Sequence, residues 1–192
     1  MDKQKRKLLI AGASLAAVTV LSACTTTGGA TGDPVAERQA LNSASDAALS
    51  RLYAQQPGSR ELINQARGVL VFPSFGSAGF LVGGGSGTGV LRKAGTTAGY
   101  YRMTEASVGL LAGAQSQAVF ILFMTEEALK RFEASRGWTG GVDGTISMLN
   151  VGANAQITTQ TARQDIIGFV LTNRGLMGSL SLDGNRITRL DL

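Results

Sequence analysis

The 192-residue sequence predicts an α+β fold. Three observations predict it. Two helical stretches come first; from Gly68 the chain turns to short apolar runs separated by glycine; and one further helix is set among those runs. Helices followed by many short strands suit N-terminal helices beside a curled antiparallel sheet or partly closed β-barrel, with one inserted helix.

Taken in order, Asp33 can accept from the first free amides of a helix, and Pro34 fixes φ at its first position. Leu41, Ala44, Ala48 and Leu52 then recur at helical spacing, and Pro57-Gly58 ends the helix. Ser59 is placed to cap a second, short helix through Ala66, closed by Gly68. Strands are expected at 69–72, 79–82, 89–91, 98–103, 108–112 and 119–124, with glycines suited to sharp bends. Thr125 caps the third helix, Glu126 and Glu127 favour its N-terminal dipole, Met124 and Leu129 are spaced for a hydrophobic staple, and Gly137 ends it. Residues 142–149, 155–159 and 166–172 read as further strands. A closing hairpin pairs 179–182 with 186–190 across Asp183-Gly184. No internal repeat of fixed period is present.

The front of the chain has a different design. Lys3, Lys5, Arg6 and Lys7 precede an apolar stretch over 8–20, which is shorter than the roughly 20 residues that span a bilayer. This is the layout of a secretory signal. Leu21-Ser22-Ala23-Cys24 resembles the lipobox of bacterial lipoproteins. That resemblance implies cleavage before Cys24, a diacylglycerol on its thiol, and a membrane partner held through the N-terminal acyl anchor. An ordinary secretory signal with a chance cysteine is the alternative. The expected organisation is a signal at 1–23, a flexible Thr- and Gly-rich tether at 24–33, and a single domain over 34–192. Thr25, rather than an aspartate, follows the cysteine. The expected location is therefore the outer membrane of a Gram-negative cell, facing the periplasm, with exposure at the cell surface as the other orientation.

The formal charge of +5 belongs mostly to that front. Residues 1–23 hold four of the 18 basic residues and one of the 13 acidic ones, which leaves +2 for the rest. No basic run or stripe remains, so no nucleic-acid partner is expected. Cys24 is the one cysteine, so no disulfide scaffold can form.

Catalytic chemistry is hard to find. The chain has no histidine, which removes Ser-His-Asp and Cys-His catalysis and almost every zinc site. Glu126 and Glu127 are better explained by helix capping than by acid–base work. The run Gly83–Gly89 lacks the Gly-Lys-Ser/Thr of a phosphate loop and the spacing of a dinucleotide fingerprint, and Thr88 stands where a nucleophile elbow needs glycine. It reads as a flexible turn, or more weakly as an amide nest for a lipid phosphate. Residues 108–124 resemble a membrane span only until Gln115, Ser116 and Gln117, which suggest two strands joined by a polar bend. No enzyme activity, metal or cofactor is expected.

Arg92 and Lys93 fall at an expected turn, and Lys130, Arg131 and Arg136 on or just past the third helix, with Trp138 close behind. Cations beside an indole resemble a membrane-interface arrangement, which makes these six the candidate lipid-binding residues. The plainer alternative is that the charges complement the helix dipole and Trp138 is core.

Gly68-Val-Leu-Val-Phe-Pro-Ser74, Ala78-Gly-Phe80 with the glycine run, Gly89-Val-Leu91, Ala106-Ser-Val-Gly-Leu110, Ala112-Gly-Ala-Gln115, Phe123-Met-Thr125, Gly137-Trp138, Gly141-Val-Asp143 and Gly175-Leu-Met-Gly178 together resemble the SYLF domain. The likeness runs from about Ser59 to Leu190. It implies a non-catalytic domain that binds lipid: phosphoinositides in eukaryotic members, with a yeast branch linked to actin and bacterial members that are commonly exported lipoproteins. The expected ligand is an anionic phospholipid or phosphoinositide-like headgroup. The second function class is a structural or protein-interaction lipoprotein, host actin included, with its protein partner unknown. One departure is visible. Eukaryotic lipid-binding members have a lysine-rich amphipathic first helix, whereas residues 34–56 carry only Arg38 and Arg51 as cations, balanced by Glu37 and Asp46.

Overall fold

The computed structural model describes residues 33–80, 82–108, 113–149, 163–172, 175–176 and 182–192. The signal, Cys24, the tether, the strand expected at 155–159, most of 108–112 and most of 179–182 lie outside the described residues. From Asp33 to Leu192 the chain forms one compact unit.

Helix α1 (Pro34–Gln55) starts as its sequence dictates: Asp33 Oδ1 accepts from the Val35 amide at 2.9 Å, and Pro34 opens the first turn. It buries Ser45, Ala48, Leu49 and Leu52. Ala44, expected on that face, is exposed, because the contact stripe runs one position later along the helix. In α2 (Ser59–Gln65) Ser59 is already helical. Its hydroxyl donates to the Gln56 carbonyl at 2.7 Å instead of capping, and Gly58 holds the cap position. Gly68 does not close this helix but opens the sheet.

The strands are β1 (Gly68–Phe80), β2 (Val82–Lys93), β3 (Thr96–Val108), β4 (Gly113–Phe123), β5 (Trp138–Thr139), β6 (Ser147–Met148), β7 (Ile166–Thr172), β8 (Gly175–Leu176) and β9 (Arg186–Leu190), with α3 (Glu126–Ala134) inserted after β4. They form a curled, half-barrel sheet in the order β5-β9-β3-β2-β1-β4-β7-β6, with β8 beside β7. All described pairings are antiparallel except β6 with β7, so the sheet is mixed. The fold class is α+β.

The central strands are apolar on both faces because both are covered. Val69, Val71, Ala118, Phe120, Leu122, Ile167, Phe169 and Leu171 pack with α1 and α2. The alternate residues Leu70, Phe72, Val119, Ile121, Phe123, Ile166 and Val170 pack with α3 and Trp138. At Pro73 the register of β1 shifts against both neighbours. A proline cannot donate to the ladder, and the bulge changes the parity of the strand by one. Phe75 therefore joins Phe72 on the α3 face.

Several sequence expectations change here. The segments 69–72 and 79–82 are not two strands: β1 runs through to Phe80. Gly83–Gly89 is neither a flexible turn nor an amide nest. It is the first part of β2, paired with both β1 and β3, so its amides belong to a ladder. Gln115–Gln117 make no bend, because β4 is continuous through them. Of residues 142–149 only Ser147–Met148 are strand; 141–143 form a turn with Val142 80% exposed. The described partners of β9 are β3 and β5. Met124 and Leu129 form no staple, since Met124 packs on the α1 face and Leu129 on the α3 face.

Candidate functional site

The six sequence-derived candidates separate into three groups. Trp138 is core. It is 2% exposed, pairs with Ile187 in the sheet, and meets Phe132 edge-on at 5.9 Å between ring centroids. An indole anchored in a membrane interface must reach solvent, so the interfacial reading of Trp138 is corrected. Its neighbouring cations sit on the outside of the wall whose inside it fills.

Lys130, Arg131 and Arg136 are exposed on and just after α3. The helix is placed by its own sequence: Thr125 Oγ1 accepts from the Ala128 amide at 3.3 Å, and Ala128, Leu129 and Phe132 turn inward. Helical spacing then turns Lys130 and Arg131 outward. Arg131 lies 3.9 Å from Asp165, with both side chains 61% exposed, which is a weak tie in water. Glu126 and Glu127 stand one turn before the two cations, so this face carries both signs of charge. Lys93 ends β2 and donates to both Glu133 oxygens at 3.0 Å, which joins the strand to α3.

Arg92 belongs to a different place. It lies in β2, two residues before the Ala94-Gly95 turn, and its guanidinium is mostly covered. Nη1 donates to Asp46, and Nη2 donates to the Asn42 carbonyl at 3.1 Å. Asn42 also accepts from Thr97 Oγ1 at 2.7 Å and donates to the Tyr100 hydroxyl at 3.1 Å. Arg92 therefore fastens α1 to the sheet, and its Nε is buried without a partner.

Beside it opens a groove of about 390 Å³, within the range of small-ligand clefts. Leu49, Ile63, Ala66 and Val69 give it an apolar side; Asp46, Tyr53 and Arg92 give it a polar one. Arg60 lies 4.2 Å over the centre of the Tyr53 ring, a cation–π contact. Burial raises the Tyr53 phenol above its ordinary pKa, against the opposing pull of the positive charges of Arg60 and Arg92. Ala94, on the rim, holds φ at 49°, and Gly95 at 80°. Tyr53 and Arg60 were missed by sequence reasoning. The two sit seven residues apart across the Pro57-Gly58 turn, a local hairpin of helices that could have suggested their meeting.

Among the described residues, no three His, Cys, Asp or Glu side chains gather to hold a metal, and no helix is long and apolar enough to cross a membrane.

Residues 104–191 match the sequence model of the family described as Ysc84, a Las17-binding protein actin regulator. No curated protein matches the chain. The matched stretch begins in β3 and takes in β4, α3, the Trp138 wall and β9, so it holds the architecture around α3. Residues 104–191 belong to the SYLF-domain family, a family of binding domains.

Proposed function

We propose that this protein is an envelope lipoprotein whose SYLF domain binds anionic lipid and catalyses no reaction. Family membership over residues 104–191 carries the reading. The exposed cations Lys130, Arg131 and Arg136, with Lys93 partly open beside them, support it as a surface that can meet phosphates. Acyl groups on Cys24 hold the domain at the outer membrane on the periplasmic side, so that surface works at short range from lipid headgroups.

Two results are expected. Replacing Lys130, Arg131 and Arg136 together with glutamine should weaken binding to phosphatidylglycerol vesicles at least tenfold, since each cation near such a surface contributes about 1 kcal/mol. The thermal transition should stay nearly fixed, because exposed charges add little to folding. Vesicle sedimentation across a salt series checks this, and unchanged binding removes this surface from consideration. Separately, Cys24→Ser should move the protein out of the membrane fraction. Continued fractionation with the membrane, with acyl label still incorporated, would remove the anchor at Cys24.

A second reading is favoured by the family description, which names an actin regulator and a protein partner. In that case the domain contacts protein, and phosphatidylglycerol vesicles are not retained while filamentous actin co-sediments.

A further inference from the structure

We propose that the groove between α1, α2 and the Ala94-Gly95 turn is a pocket for a phosphate ester on an apolar body, with Arg60, Tyr53 and Arg92 at the phosphate and Leu49, Ile63 and Val69 under the apolar part. It deepens the lipid-binding reading and rests on it for the membrane origin of the ligand. The pocket is separate from the α3 surface.

Three features meet in this place. The first is charge. Asp46 and Arg92 are the charged residues that line the groove, and they neutralise each other. Arg60 does not line the groove, but stacked on the lining residue Tyr53 it adds a positive charge that no described acid answers with an ion pair, which favours an anion beside Tyr53. The second is donor supply. A guanidinium has five N–H donors. Two on Arg92 are used by Asp46 and Asn42, and its buried Nε has no partner. The Nε is closed off, so a ligand would meet the guanidinium through its remaining Nη protons. The Tyr53 hydroxyl is a further donor, kept protonated by burial.

The third is the rim. A two-residue hairpin loop with positive φ at both positions favours asparagine before glycine. This chain has Ala94 at φ 49° in that place. A β-carbon there is strained, and such strain collects at ligand sites. Alanine leaves only a methyl on the rim, where asparagine would set an amide. The apolar residues behind that rim point to an ester on an apolar body: Leu49 and Val69 are nearly buried and Ile63 half-buried, so an apolar body would complete their cover where inorganic phosphate would not.

The experiment uses the full-length protein in phosphatidylcholine nanodiscs, titrated calorimetrically with dihexanoyl phosphatidic acid, dihexanoyl phosphatidylcholine and inorganic phosphate. The phosphatidic acid should bind at least tenfold more tightly than the other two. Arg60→Gln should weaken it about tenfold, as loss of a charged hydrogen-bond partner does. Tyr53→Phe, which keeps the ring under Arg60, should weaken it less. Ser50→Trp, at an exposed α1 position on the groove, should abolish binding by filling the space, with an unchanged melting temperature. Inorganic phosphate binding as tightly as phosphatidic acid would overturn the apolar half and assign the pocket to free phosphate. Phosphatidic acid binding that survives both Arg60→Gln and Ser50→Trp would overturn the pocket, and so would no binding by the wild type. Phosphatidylglycerol vesicles separate the two readings. If the pocket variants lose phosphatidic acid but keep vesicles, the pocket stands and the α3 surface carries membrane contact. If the wild type binds phosphatidic acid but no vesicles, the pocket stands and the membrane-surface reading fails.

Discussion

Phe132→Ala is expected to lower folding stability by about 3–5 kcal/mol, the range for deleting a buried aromatic side chain. Phe132 is 1% exposed and is the hub of an aromatic cluster. Its ring centroid lies 4.9 Å from Tyr101, 4.7 Å from Phe123 and 5.9 Å from Trp138. These partners come from β3, β4 and β5, so one ring joins α3 to three strands. Alanine would leave a void among rigid neighbours that cannot close it: Phe123 and Tyr101 are fixed in the ladder, and Trp138 is fixed by its pairing with Ile187. The nine-residue α3 buries only Ala128 and Leu129 besides Phe132, too little to dock a helix this short unaided. At about 2–4 °C per kcal/mol for a chain of this size, the melting temperature should fall by roughly 6–20 °C. Lys130→Gln, on the outer side of the same helix, should change stability by less than about 0.5 kcal/mol. Urea denaturation of the two variants checks the contrast. A loss below about 1 kcal/mol for Phe132→Ala would mean that α3 is not held by this cluster.

The parts of the fold legible in the sequence are those with local causes. Asp33-Pro34 and Thr125 set helix starts because the capping bond spans only two or three residues. The apolar segments at 69–72, 119–123 and 166–172 are strands because alternate residues serve two covered faces, and the sequence shows that as unbroken hydrophobicity. The α+β order follows from these alone. Their ends are less legible. β1 continues eight residues beyond Phe72, because a bulge at Pro73 absorbs the proline and the register resumes.

The candidate site divides in the same way. Lys130 and Arg131 were legible as surface cations because helical spacing places them opposite Leu129 and Phe132. Trp138 misled because its sequence neighbours are charged while its spatial neighbours, Phe132 and Ile187, are apolar. The bonds of Arg92 were less legible still, since its partner Asp46 lies 46 residues away on α1. The groove beside it draws on α1, α2, β1, β2 and the turn after β2. No local pattern encodes a space enclosed by five separate segments.

The glycine run holds a clear steric demand, and Gly89→Ala tests it. A β-carbon at Gly89 would sit 2.5 Å from a carbon of the Phe72 ring and 2.6 Å from the Val71 carbonyl oxygen. The ring is fully buried, and the carbonyl is backbone of the paired strand β1. Neither can retreat without parting β1 from β2 near Pro73, where the bulge has already loosened the register. Overpacking of this kind costs about 1–3 kcal/mol, and the backbone contact places Gly89→Ala at the upper end. Gly76 is the control. It is strand glycine too, in β1, but a β-carbon there meets nothing within 4 Å, and its φ lies outside the left-handed region. Gly76→Ala should therefore be neutral or stabilising by up to about 1 kcal/mol, since alanine restricts the unfolded chain without strain in the folded one. A loss at one glycine and no loss at the other are thus expected for the same chemical change in neighbouring strands. Equal losses at both positions would mean that this sheet needs glycine for backbone freedom, and the close approach of Phe72 would not be the reason Gly89 is there.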